Sequence, residues 1–211
     1  MPADLALPLV VDYAIGKLMD GVMQAYQRRQ AEAARDALLR EMRKGRPWAI
    51  TDDKAAAALW QYQRAAMEGA AVRNLELLAE ALVTAATEKA FAPNEFRRNA
   101  EALASLSMEE IYIVAAFVRA RRTVELKGDE HQDGAVPIWR AAMAELGASD
   151  AFADEDDAAA HVAPLARTGW LVPASGWGFF GYRATRAFHV VERLVDWREA
   201  EARERNRPDE S

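Results

Sequence analysis

The sequence predicts a mainly α protein with one small β-hairpin, and three observations carry that prediction. Alanine makes up about a fifth of the 211 residues and arginine far outnumbers lysine, and both are good helix formers. Apolar residues recur at i, i+3, i+4 and i+7 through most of the chain. Only residues 170–184 concentrate β-branched and aromatic residues around glycines, the composition of a hairpin.

The first element is a long helix over 8–44. Pro8 suits a first turn. Ile15, Leu18, Met19, Val22 and Tyr26 form one apolar stripe, which Ala33, Ala37, Leu38 and Met42 continue more weakly. Arg40, Arg43 and Lys44 favour the C-terminal end of the helix dipole, and Gly45 and Pro47 stop it. At about 1.5 Å per residue it would run roughly 50 Å. A helix of that length either kinks, at Gly16 or Gly21, or pairs with another chain. The second helix starts at a Thr51 or Asp52 cap and carries Met67, Ala71, Leu75, Leu78, Leu82 and Ala85 on one face, ending near Lys89 or Phe91. Pro93 opens a shorter helix with Phe96, Ala100 and Leu103 inward.

From Ser107 the pattern changes. Ser107 and Glu110 make a capping box, and Ile111, Tyr112, Ile113, Val114, Phe117 and Val118 leave almost no polar face. Residues 127–134 form a polar loop. Pro137 opens a short helix that Gly147 closes. Asp154 to Asp157 open a third, which passes Pro164 and ends at Gly169. Two short strands then flank Ala174-Ser175-Gly176. In that hairpin Trp170, Phe180 and Tyr182 are assigned to the core. Thr185 caps a last helix with Phe188, Val191 and Val195 inward, and the chain frays after Arg203. The organisation is a helical region over 1–106, a candidate for oligomerisation, then a domain over 107–199, then a frayed tail over 200–211.

Helix, helix, helix, hairpin, helix over 107–199, with "LARTGWL…YRAT" spanning helix end, glycine, both strands and a Thr-capped helix, resembles a winged-helix domain. More loosely, "AAMEGAAVRNLELLAEAL…FRRNAEALASLSMEEIYIVAAF" is similar to uncharacterised bacterial proteins, including abortive-infection alpha-type proteins. The first resemblance implies a module that binds protein or DNA. The second implies no catalytic residues.

Composition narrows the chemistry. There is no cysteine, so disulfides, thiolate metal sites and cysteine nucleophiles are excluded, and a bacterial cytoplasm is the expected location. The N-terminal apolar stretch carries Asp4, Asp12, Lys17 and Asp20, so neither a signal peptide nor a membrane span is expected. Acidic and basic residues balance through residue 106, so the net charge of −6 falls on 107–211. Gly176-x-Gly178-x-x-Gly181 matches the dinucleotide fingerprint. It lacks the parallel strand and the immediately following helix N-terminus that give the pattern its meaning, so no cofactor is expected. His131, among Asp129, Glu130 and Asp133, reads as a solvated loop rather than a metal site, and His161 and His189 share no face with it.

A DNA-binding reading must accommodate Asp154, Glu155, Asp156 and Asp157 at the start of the helix that would face phosphates. Arg167, Arg183 and Arg186 are the cations available to a backbone. Trp177 and Phe179, with Arg183 and Arg186, are the candidate partner-binding residues, since aromatics are enriched at binding hot spots. The sequence thus predicts a non-catalytic interaction or regulatory protein without metal or cofactor, with a protein partner or self-association through the first helix. The other readings are a DNA-binding regulator and a membrane-associated phage-defence effector.

Overall fold

A computed structural model describes residues 6–45, 52–87, 92–124, 135–176 and 179–207. Among these the chain is mainly α: α1 (Ala6–Met42), α2 (Asp52–Met67), α3 (Val72–Thr87), α4 (Pro93–Ala104), α5 (Met108–Thr123), α6 (Ala135–Gly147), α7 (Glu155–Leu165), β1 (Leu171–Gly176), β2 (Phe179–Ala184), α8 (Arg186–Leu194) and α9 (Trp197–Arg205).

The centre is α5. Every residue from Glu110 to Val118 is buried, as its near-continuous apolar run requires. Ser107 starts it with both halves of the capping box: the Glu110 N–H donates to Ser107 Oγ at 3.2 Å, and the Ser107 N–H donates to the Glu110 carboxylate at 2.9 Å. Around α5 pack α6, α7 and α9, while α3 joins α1, α2, α4 and α8 to the same core. A single buried cluster runs from Ala34 to Ala200, across the 106/107 boundary.

α1 is one uninterrupted helix, so neither Gly16 nor Gly21 divides it. Among its described side chains Ala34, Ala37 and Glu41 are buried and Met42 is exposed. The small alanines allow close approach, and Tyr62 Oη donates to the Ala34 carbonyl at 2.6 Å.

The expected helix from 51 to about 91 is two helices. Gly69 adopts φ +87°, its N–H donates to the Ala66 carbonyl, and the Ala70 N–H reaches back to Ala65. That pair of bonds is a Schellman cap, which ends α2. The period continues across the break, which hid it from the sequence. Leu75, Leu78, Leu82 and Ala85 are buried as expected, while Met67 is exposed beside the break.

The last helix is also two. Asp196 accepts from the Arg198 and Glu199 N–H groups and so starts α9. Residues 200–205, expected to fray, are helical, with Ala200, Glu201 and Glu204 buried. Ion pairs hold α9 in place. Glu201 pairs with Arg119 of α5 and with Arg205, and Glu204 pairs with Arg73 of α3 and with Arg207. Arg207 also meets Glu76, which Arg40 of α1 approaches from the other side. Glu80 of α3 accepts the Asp196 N–H at 2.7 Å and faces Arg203 at 3.3 Å.

The hairpin pairs Leu171 with Ala184 through Gly176 with Phe179. Ala174, Ser175 and Gly176 therefore lie within β1 rather than in the turn; the connecting residues 177–178 lie outside the described ones. The Thr185 N–H donates to the Trp170 carbonyl. That fixes which residues share ladder bonds, and by alternation Pro173 sits at an outward-facing position, where its missing N–H breaks no bond. Trp170 and Tyr182 are buried as expected, but Phe180 is 71% exposed. Tyr182 and Phe180 share a strand face, and the strand runs past the core before it reaches Phe180.

Two predictions follow from the packing. At Gly69 an added Cβ would lie 2.8 Å from Tyr26 Oη, in a left-handed conformation, whereas at Gly45 (φ +76°) nothing lies within 4 Å. Gly69→Ala should therefore destabilise by more than Gly45→Ala, whose cost is about 1–2 kcal/mol, and Tyr26→Ala should recover part of the excess. Urea unfolding of the four variants measures this, and equal costs at both glycines would refute it. Second, burial holds the Glu80 carboxyl above its ordinary 4.5, with nearby Glu41 adding to the rise, against the Asp196 N–H and Arg203. A carboxyl raised on folding contributes stability that is complete below its ordinary value and is lost as pH rises through the raised one. The melting temperature of Glu80→Gln minus that of the wild type should thus climb as pH rises above 4.5; calorimetry showing the difference falling would contradict the assignment.

Candidate functional site

The most distinctive surface grows out of an aromatic ladder. Phe117 of α5 is fully buried and meets Phe188 of α8 edge-on, at 6.3 Å between centroids. Phe117 also meets Trp139 of α6 at 6.0 Å, Trp139 meets Tyr182 of β2 at 5.6 Å, and Tyr182 meets Phe180 at 6.3 Å. Along this series Trp139 is half-buried, Tyr182 buried and Phe180 open to solvent. A rigid, largely buried stack thus presents one phenyl ring outward. Orientation held by packing lowers the conformational entropy lost when a partner binds.

The residues expected at this site fall in different places. Trp177 lies outside the described residues, as does the side chain of Phe179. Arg183 is half-buried on the strand face opposite Tyr182 and Phe180, beside its partner Val172. Arg186 is exposed at the first position of α8, after Thr185, whose hydroxyl accepts from the Phe188 N–H and donates to the Gly169 carbonyl at 2.7 Å. Among the described residues neither arginine forms an ion pair. Of the four, the described side chains are thus Arg183, half-buried on β2, and Arg186, exposed on α8. Phe180, expected in the core, is the exposed aromatic among the described side chains of the hairpin. Its shared parity with Tyr182 was readable; how far the strand outruns the core was not.

Arg167 is committed elsewhere. It pairs with Glu110 at 2.9 Å and donates to the Ser105 and Pro164 carbonyls at 2.9 and 3.0 Å, tying the end of α7 to the start of α5. The capping hydrogen bond from Ser107 and this guanidinium leave the buried Glu110 carboxylate well satisfied. At the other end of α7, Asp154 accepts the Asp157 N–H at 2.8 Å and Asp157 accepts the Ala153 N–H at 3.0 Å. Glu155 and Asp156 remain exposed. Neither a protein-family model, nor a curated protein, nor a solved structure matches the chain.

A concavity of about 270 Å³ lies between α2 and α4, lined by Gln61, Arg64, Glu68, Gly69, Glu101 and Ser105 among alanines. Arg64 and Glu68 pair with each other at 2.7 Å at its rim, leaving no uncompensated charge directed inward from that pair. Of the glycines of the dinucleotide pattern, Gly176 and Gly181 sit in antiparallel strands and Gly178 lies outside the described residues; α8 begins at Arg186. Among the described residues no three His, Asp or Glu side chains gather as a metal site; residues 129–133, with His131, lie outside them. No helix among the described residues is long and apolar enough to cross a membrane.

The Arg167 clamp makes a direct prediction. Arg167→Met removes charge-assisted bonds to a buried carboxylate and to two carbonyls, and should destabilise by about 2–3 kcal/mol. Arg186→Met, at an exposed guanidinium without an ion pair among the described residues, should change stability by less than about 0.5 kcal/mol. Chemical denaturation gives both values, and a neutral Arg167→Met would show that the clamp contributes nothing.

Proposed function

We propose that the chain is a non-catalytic interaction or regulatory protein of the bacterial cytoplasm, and that residues 107–199 act as a winged-helix-like module that binds protein. The observation that carries this reading is Phe180, a large apolar side chain held open to solvent at the end of a packed aromatic stack. The order α5, α6, α7, β1, β2, α8 supports the winged-helix likeness. A binding surface centred on the hairpin would use Phe180 as its anchor, with Trp177 and Phe179 beside it in the chain.

DNA binding is the less favoured reading. Asp154, Glu155 and Asp156 are exposed at the start of the helix that would approach the duplex, and Arg167 is engaged by Glu110. Arg183 and Arg186 remain as the only two of the named cations available to a phosphate. The phage-defence reading rests on the sequence resemblance and the apolar N-terminus.

Two measurements test the proposal together. Phe180→Ser should leave the melting temperature nearly unchanged, within about 0.5 kcal/mol of stability, while weakening capture of host proteins by the immobilised chain about tenfold or more. The Trp177→Ala/Phe179→Ala variant should likewise keep its melting temperature if those rings are anchors. Sub-micromolar binding to random duplex DNA in low salt would overturn the protein-binding reading.

A further inference from the structure

We propose that the surface around Phe180 takes a short acidic segment of a partner protein, whose apolar side chain packs on the Phe180 ring while its carboxylates meet Arg140 and Arg186. The partner's chemistry, given the protein-binding reading above on which it rests, follows from the charges left over at this end of the fold. The ring itself is open to approach. Ser175, its register partner across the hairpin, and Pro173, next on the same strand face, are both exposed. Tyr182 meets the ring edge-on at 6.3 Å and is itself packed on Trp139 at 5.6 Å.

Over α6, β1, β2 and α8 the chain carries four arginines, Arg140, Arg183, Arg186 and Arg193, and two acidic residues, Glu145 and Glu192. Both glutamates are taken by arginines of α5. Arg119 pairs with Glu145, and Arg121 meets Glu192 at 3.3 Å, with Arg122 at 4.0 Å from its other oxygen. None of the four arginines has an ion pair among the described residues. A chain with a net charge of −6 therefore carries uncompensated positive charge at the end that exposes Phe180. Arg140 is exposed and directly follows Trp139, which packs on Tyr182. Arg186 is exposed at the start of α8, no more than about 20 Å of chain from Phe180. Arg183, half-buried on the opposite strand face, adds to the field without facing the ring.

Carboxylates suit these cations because the planar guanidinium fork binds them through two parallel hydrogen bonds. Complementary charge selects the partner and speeds its approach, while an apolar side chain seated on an oriented ring supplies the affinity. An extended segment of a few residues meets both demands. A nucleic-acid duplex meets them poorly. It would bring its backbone charges toward the exposed Asp154, Glu155 and Asp156 at the start of α7, and it gives Phe180 no role.

Fluorescence anisotropy of the full chain with a short labelled peptide of alternating Asp and Leu tests this. The peptide should bind about tenfold or more tightly than its counterparts with Lys for Asp or with Ser for Leu, and salt should weaken it. The Arg140→Glu/Arg186→Glu variant changes two exposed positions and should keep its melting temperature. It should bind the acidic peptide about tenfold more weakly and the lysine counterpart more tightly. Phe180→Ser should weaken the acidic peptide by a similar factor. An acidic peptide bound no better than the lysine one, or indifferent to the arginine reversals, would overturn the acidic partner. If Phe180→Ser still weakened binding, the hairpin would remain a protein-binding surface; indifference to Phe180→Ser would remove that reading as well. Random duplex DNA bound more tightly than the peptide, and lost on the arginine reversals but not on Phe180→Ser, would assign the charge to nucleic acid instead.

Discussion

One helix that cannot meet water dictates the arrangement of the others. From Glu110 to Val118 α5 buries every residue, so neighbours must enclose it on all sides. No single layer can do that, and α6, α7 and α9 each take a sector. The same requirement places polar anchors at its two ends. At the start, Glu110 closes the capping box and receives Arg167. Toward the end, Arg119 reaches Glu145 of α6 and Glu201 of α9, and Arg121 reaches Glu192 of α8. The central helix is thus fixed laterally by apolar packing and axially by charge.

Alanine richness has a structural counterpart. Small side chains let α1, α2 and α3 approach closely, but each buries little apolar area, roughly 25 cal/mol per Å². Charge networks fill the remaining contacts. α9 is a very polar helix, yet Trp197 is buried against Trp170 and Glu201 and Glu204 lie beneath the surface with arginine partners. Buried carboxylates are costly when unpaired and near neutral when well paired, so such a network fixes position more than it adds stability. Glu41 shows the limit: one of its buried oxygens has no hydrogen-bond partner among the described residues.

What could be read from the sequence divides along physical lines. The Ser107–Glu110 box, the Gly169 stop and the Thr185 cap are local, decided by groups within a few residues, and all three are found where the residues place them. The helix breaks at Gly69 and Asp196 are local as well, but an unbroken apolar period masked each of them. The docking of α9 was not readable, because its partners Arg73, Glu76, Glu80 and Arg119 lie far away in sequence and charged runs ordinarily mean a solvated face. Phe180 illustrates the same boundary at the candidate site. Alternation gives its side of the strand, whereas its exposure depends on where α6 ends its cover.

Pro173 carries a consequence beyond the hairpin. A two-stranded sheet has no interior strand, so both of its rims are potential templates for another chain. On the β1 rim the outward position at Pro173 offers no donor, which interrupts any ladder that a third strand could build there. Lateral growth into fibrils is discouraged at that rim while the ring of Phe180 stays uncovered a short distance away. Pairing of a further backbone on that side is therefore interrupted at mid-strand, while the exposed surface nearby is offered by a side chain.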